Sequence, residues 1–439
     1  MLTDTVSTST FVLLALVGGT LQVRWHTHPE SANDETSTLV NGVPERGGSV
    51  VDVESVRWLQ TEDGQRVLTL AAALDEPDPL RAHTALERAT PGTPSDLRAV
   101  ALTQAELRVK AQVKFGALAS SMYFTPDGLE QATRLSVATH RAARLTAFGA
   151  TTVLDLGCGI GGDLIAVARA GITAAGVDLD PVRVAVASAN LVALGLGGAV
   201  QVADALGIDH SPFDVAFCDP ARRSGRGRTF SPDAWTPPWS FVESLLARDA
   251  CVKVAPGIPH ELVPAGVEAE WVSDHGEVKE AALWGGRLAT VERRATVIGD
   301  GGLATLTDED DPGADVVPLG RFLYEPDGAV VRAGLVTAVA AGVGGGLLDR
   351  HIAYVTADSA FRSPFSRSYE VLETLPHREK QLRAALHDRG IGRLTIKKRG
   401  VDVVPDQLRK RLALTGDQEA TIVLTRVAGQ GTCLLVRPF

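Results

Sequence analysis

Four successive apolar runs in the middle of the chain close on aspartates: Asp155, Asp178, Asp204 and Asp219. The first, Val153-Leu154-Asp155-Leu156, empties into Gly157-Cys158-Gly159-Ile160-Gly161-Gly162, where glycine recurs at every second position. Such a run reads as a buried strand leading into a loop whose backbone a ligand approaches closely. The helix expected next, over 163–170, offers unpaired N–H groups and the positive end of a dipole. About 20 residues on, Ala175-Gly176-Val177-Asp178 ends a second strand with a carboxylate placed to bond a ribose. A nucleotide-like ligand is the chemistry this spacing fits.

The fourth run leads into Asp219-Pro220-Ala221-Arg222-Arg223-Ser224-Gly225. Asp219, Pro220 and Arg222 are the candidate reaction-side residues, because loops at the carboxyl ends of such strands surround the ligand. Arg222, Arg223, Arg226 and Arg228 crowd one loop, which suits phosphate or carboxylate recognition. The bland alternative is a solvated basic loop. Trp235 and Trp239, in Trp235-Thr236-Pro237-Pro238-Trp239, offer a stacking platform for a base or simply pack the loop. Phe124 and Thr125, ahead of the first strand, either flank the ligand or seal a helix onto the sheet. Asp180 reads equally as a site acid and as a helix cap.

Alternating strand and helix patterns around these residues imply an α/β, Rossmann-like parallel sheet covered on both faces. Strands five and six are expected around Val252-Lys253-Val254 and Glu268 to Val272, with 281–284 or 288–297 closing the sheet. Residues 1–50 read as a tail without regular structure, and 51–120 as helical, with Ser95 or Asp96 capping a helix over 97–115. A helix over 129–147 leads into a catalytic-type domain at 121–297. The acidic, Gly/Pro-rich 298–320 reads as a linker, and 321–439 as a smaller α+β domain.

Composition narrows the function classes. The chain has 439 residues, a net charge of −10 and four cysteines without CxxC spacing. A disulfide framework or zinc site is not expected, and a reducing cytoplasmic setting fits. The apolar run at 11–17 is far shorter than the ~20 residues of a spanning helix, so no membrane partner is expected. Residues 321–439 hold 18 Lys and Arg against 12 Asp and Glu, a net of +6, which leaves −16 for the rest. A basic end on an acidic body suggests a polyanion-facing module.

The spacing Asp155-x-Gly157-x-Gly159-x-Gly161 resembles motif I of class I S-adenosylmethionine-dependent methyltransferases, with Asp178 at the ribose position, Asp204 at the adenine position and Asp219-Pro220 at motif IV. Gly128-Leu129-Glu130-Gln131-Ala132-Thr133 and Ile396-Lys397-Lys398-Arg399-Gly400-Val401-Asp402 extend the resemblance to actinobacterial members with a C-terminal THUMP-like domain. The methyltransferase half is also similar, more distantly, to trimethylguanosine synthases. The resemblance implies S-adenosyl-L-methionine as cofactor, no metal, and RNA as partner, since THUMP domains bind RNA. Asp155, Gly157, Gly159, Gly161, Asp178, Asp204, Phe124 and Thr125 would then hold the cofactor. Arg223, Trp235, Trp239, Lys397, Lys398 and Arg399 would hold RNA.

Motif IV departs from the family's amino-methylating pattern, because Ala221 and Arg222 replace a proline and an aromatic. The position where RNA 5-methyluridine enzymes need a cysteine carries Ala255-Pro256-Gly257, which points to non-covalent transfer. Three readings follow: a methyltransferase acting on RNA, one acting on a small molecule or protein with the C-terminal domain used for oligomerisation, or a catalytically silent binding protein.

Overall fold

The apolar runs that end in aspartate form strands, and the chain crosses over between them because parallel neighbours need a helical return. The computed structural model describes residues 10–17, 20–27, 51–222 and 235–439. It divides into two compact units, Met1–Lys253 and Val254–Phe439.

In the first unit, strands Thr152–Leu156, Thr173–Asp178, Ala199–Val202 and Val215–Cys218 lie parallel, with Ala250–Val254 beside the last of them. Their spatial order is 250–254, 215–218, 152–156, 173–178, 199–202. The order reverses between Thr152–Leu156 and Val215–Cys218. Open α/β sheets bind ligands at such a reversal, outside the carboxyl ends of the strands. Asp155 and Asp219 lie at those two strand ends. Helices Leu135–Phe148, Gly162–Arg169 and Pro181–Ala193 accompany the sheet, and every residue of Thr152–Leu156 is buried.

The expected helical region forms Val53–Leu59, Glu62–Ala72, Pro79–Ala89 and Ser95–Phe115. The last starts after Pro94 with no side-chain cap, so neither Ser95 nor Asp96 caps it. Leu59, Leu107, Phe115, Met122 and Phe124 share a core with Ile160 and Val186. The helix expected over 129–147 is two, Pro126–Gln131 and Leu135–Phe148. Lys114 Nζ takes the carbonyls of Leu129, Glu130 and Ala132 at the break.

The tail at 1–50 contains more structure than expected. Thr10–Val17 pairs antiparallel with Thr20–Thr27, from Thr10↔Thr27 to Val17↔Thr20. Leu21, Val23 and Trp25 alternate with polar residues, a strand pattern that the polar surroundings obscure.

In the second unit, Glu268–Asp274 runs antiparallel to Glu277–Gly285 and parallel to Arg293–Gly299, which pairs with Gly302–Thr307. The stretch expected as a linker from residue 298 is therefore partly a hairpin. Asp300-Gly301 is a two-residue hairpin turn signal, masked by the acidic composition. Nor does the unit boundary fall at that stretch. Arg332 Nη1 donates to Pro256 O at 2.9 Å and Arg293 Nη1 to Ala333 O at 3.0 Å, which ties 254–307 to the helix Gly328–Ala333.

The remainder is a seven-stranded sheet in the order 346–349, 352–357, 322–326, 366–375, 430–438, 418–427, 391–398. Only Ile391–Lys398 and Gln418–Val427 pair in parallel. Leu382, Leu386, Leu408 and Leu412, from helices Glu379–Asp388 and Pro405–Leu412, share a core with Ile396, Ile422 and Leu424 of the sheet.

Candidate functional site

Gly157, Gly159 and Gly161 all have positive φ, at 100°, 54° and 85°, a region where side chains with a Cβ are strained. The bare loop is fastened to the next strand. Gly157 N and Cys158 N both donate to Val177 O at 2.9 Å. Asp178 returns the contact: Oδ2 accepts from Gly159 N and Oδ1 from Asp180 N, both at 2.9 Å. A carboxylate oxygen with one donor keeps further acceptor capacity, so Asp178 is aimed and still able to bond ligand hydroxyls.

Asp155 is 2% exposed, and its Oδ1 has no hydrogen-bond partner. Burial holds its carboxyl well above the usual range, reinforced by Asp163, Asp219 and Asp178 and opposed by Arg141. Arg141 pairs with Asp163 at 3.3 Å, and its guanidinium lies 4.5 Å over the Phe217 ring. An orphaned buried oxygen beside a glycine loop is a group a ligand donor satisfies. The residues present therefore fit a nucleoside with a polar tail.

Asp180 caps the helix Pro181–Ala193, accepting from Val182 N at 2.8 Å, and this geometry favours its capping role. Asp204 accepts from Leu206 N at 3.0 Å and opens the turn Ala205–Gly207.

Motif IV has a partner that sequence reasoning missed. Lys253 Nζ lies 2.5 Å from Asp219 Oδ2 and 3.2 Å from Thr133 Oγ1. The Lys253 side chain is 17% exposed and that of Asp219 35%. The available signal was a single cation inside the apolar strand Ala-Cys-Val-Lys-Val. Asp219 also touches the loop side of the site, since a Cβ on Gly157 would stand 3.8 Å from its carbonyl oxygen.

Other expected site residues are redistributed. Phe124 is fully buried, 5.8 Å from the Phe115 ring, so it seals the helical layer and presents no surface to a ligand. Thr125 Oγ1 accepts from Gly128 N at 3.0 Å and caps Pro126–Gln131. The backbone of Ala221–Arg222 pairs with Trp235–Thr236. Trp235 is buried edge-on to Trp239, 5.1 Å between centroids, so it packs the loop and does not stack a base. Trp239 is only half-buried. Arg223, Arg226 and Arg228 lie outside the described residues.

Strand alternation splits the basic run at the end of Ile391–Lys398. Lys397 Nζ lies 2.6 Å from Glu325 Oε2, which also accepts from Tyr369 Oη at 3.2 Å. Arg399 donates to Ala353 O at 3.1 Å and lies over Tyr354. Lys398 alone is exposed. The three do not form one phosphate patch, because Lys397 is neutralised by a carboxylate.

Most arginines of the sheet and its helices are likewise paired: Arg389 with Glu373, Arg393 with Glu419, Arg409 with Asp406, Arg411 with Glu379 and Arg437 with Glu370. Among the described residues Arg362 and Arg367 have no ion pair, and neither do Arg383 and Arg426. Arg362 and Arg367 line a cavity of about 410 Å³ with Ser363, Ser366 and Tyr369, and no Asp or Glu side chain lines it. Ser366 Oγ is buried without a partner.

Residues 153–222 match a methyltransferase domain, residues 366–438 a THUMP domain-like family and residues 52–111 a domain of unknown function. Proteins from two strains of Mycobacterium tuberculosis, each named an uncharacterized S-adenosylmethionine-dependent methyltransferase, are 40% identical over 335 residues. The match covers 73% of this chain and 90% of theirs. The crystal structure of a candidate methyltransferase from Porphyromonas gingivalis W83 has the same fold, with a TM-score of 0.68 at 22% identity over 85% of this chain and 98% of that one. Among the described residues no helix is long and apolar enough to cross a membrane.

Proposed function

The chain belongs to the class I S-adenosylmethionine-dependent methyltransferases with a C-terminal THUMP-like domain, and from that premise we propose that its acceptor is RNA. The cofactor supplies an electrophilic methyl group on a sulfonium. On this reading the backbone from Gly157 to Gly161, the Asp178 carboxylate and Asp204 hold it, with Thr125 at the edge of the site. Asp219 and Pro220 border the acceptor, and Asp219 accepts a hydrogen bond from the group to be methylated. Placing donor and nucleophile in line is the main task such a transfer sets the protein.

The RNA part rests on one observation: Arg362 and Arg367, neither held in an ion pair, line a cavity without Asp or Glu in the segment that leads into and begins the THUMP domain-like match. Guanidinium forks and serine hydroxyls together suit phosphate oxygens. Two assays test this. The first is binding of structured RNA across 50–200 mM salt, where contact with several phosphates makes log K fall linearly with log salt. The second is transfer of labelled methyl groups to fractionated RNA, protein and metabolite pools. Salt-independent binding, or label confined to protein or metabolites, would replace RNA by the second acceptor class.

A further inference from the structure

We propose that Lys253 is a positioning residue of the transfer site, which holds Asp219 by one carboxylate oxygen and offsets its charge beside the methyl donor. The inference rests on Asp219 bordering the donor and is independent of whether the acceptor is RNA.

The sheet register sets up the pair. Phe217 stands opposite Cys251 and Cys218 opposite Val252. One step further along, Asp219 and Lys253 project to one side of the sheet, as side chains at matched positions of neighbouring strands do. Lys253 commits Oδ2 of Asp219 at 2.5 Å, so the other oxygen remains to take a hydrogen from the acceptor. Thr133, 7% exposed, fixes the ammonium from the break between two helices.

The charge balance gives the pair a second effect. Asp163, Asp178 and Asp219 all lie close enough to act on Asp155, with Arg141 the cation that opposes them there. Lys253 adds a second cation at the acceptor end. S-adenosylmethionine carries a sulfonium charge that S-adenosylhomocysteine lacks. The ratio of the two affinities therefore reports the potential at the reacting atom, with no acceptor present.

Removing Lys253 leaves Asp219 uncompensated and favours the charged ligand, whereas removing the Asp219 charge leaves the ammonium and disfavours it. Calorimetric titration of S-adenosylmethionine and S-adenosylhomocysteine into the full-length protein tests this. In Lys253→Met the preference for the charged ligand should rise about three- to tenfold, allowing for solvent screening of a pair this exposed. In Asp219→Asn it should fall by a similar factor, and Lys253→Arg should restore the parent ratio.

An unchanged ratio in Lys253→Met and Asp219→Asn, with both affinities falling together, would reduce Lys253 to scaffold and overturn the proposal. If Lys253→Met does not fold, as thermal unfolding will show, Lys253→Gln takes its place with the same expected rise, and an unchanged ratio there overturns the proposal; Asp219→Asn still decides the opposite sign. Because no RNA enters the titration, failure of the RNA assignment leaves this result standing, and the reverse holds too.

Discussion

The side-chain amide of Asn190 closes a ring with the backbone N–H and C=O of Tyr123. Its Oδ1 accepts from Tyr123 N at 2.6 Å, and its Nδ2 donates to Tyr123 O at 3.1 Å and to Ile160 O at 2.9 Å. The helix after Asp180, the segment before Thr125 and the glycine loop thus meet on one fully buried side chain. Asn190→Ala leaves three backbone groups without their partner. We expect a loss of about 2–4 kcal/mol, read by denaturant unfolding, together with weaker binding of S-adenosylmethionine.

Gly128 tests close approach. A Cβ there would overlap Ile160 Cγ2 and lie 2.6 Å from Thr125 Oγ1. Gly128→Ala should destabilise by about 1–3 kcal/mol through overpacking and push Ile160 against the loop. Gly207, where nothing lies within 4 Å of an added Cβ, is the control. Gly207→Ala should stay within about 0.5 kcal/mol in the same unfolding assay.

Two aspartates should give opposite pH dependences. Burial pushes the Asp155 carboxyl up, joined by Asp163 and Asp219. The folded state then keeps a proton that the unfolded chain releases near pH 4, so stability falls as pH rises above about 4. Asp155→Asn should raise the melting temperature at pH 7–8 and match the parent below about pH 4. For Asp214 burial acts upward, but hydrogen bonds from the Thr151 hydroxyl and the Thr151 and Thr152 N–H groups outweigh it and hold the carboxyl low. That contribution is present above the unfolded value and lost as pH falls through the folded one. Asp214→Asn should therefore lower the melting temperature at neutral pH and converge with the parent near about pH 3.

The C-terminal sheet separates charge that is spare from charge that is spent. Arg367→Gln should weaken RNA binding across sequences and reduce the salt slope by about one. Lys397→Met strands Glu325 and should show chiefly as lost stability, with the salt slope unchanged. Equal slopes for Arg367→Gln and the parent would move the phosphate contact away from this cavity.

The aspartate series was legible because each member closes a short strand-like run, broken only by Gln201 before Asp204, so local pattern carries the information. Asp180 remained even in sequence because a cap and a ligand acid share one preference, and only its bonds to the following N–H groups favoured the cap. Lys253 was invisible for a different reason. Its meaning depends on the register between strands separated by a helix, and no local pattern encodes register. The basic run at 397–399 misled in the same way, since adjacency in a strand places neighbours on opposite faces. Asp300-Gly301 was a readable turn, but the acidic surroundings weighed more.

The position of Lys253 as the last residue of the first unit bears on how the protein can be dissected. A cut at the acidic stretch would strip Pro256 and Arg293 of the helix Gly328–Ala333 that they bind, and leave Trp271, stacked 4.9 Å from His260, on an incomplete remnant. Removing 321–439 would therefore report on a damaged fold as much as on an absent domain. The seam lies some fifty residues earlier than composition suggests. It falls directly behind the lysine that grips motif IV, so transplanting either half requires a joint that keeps that strand intact.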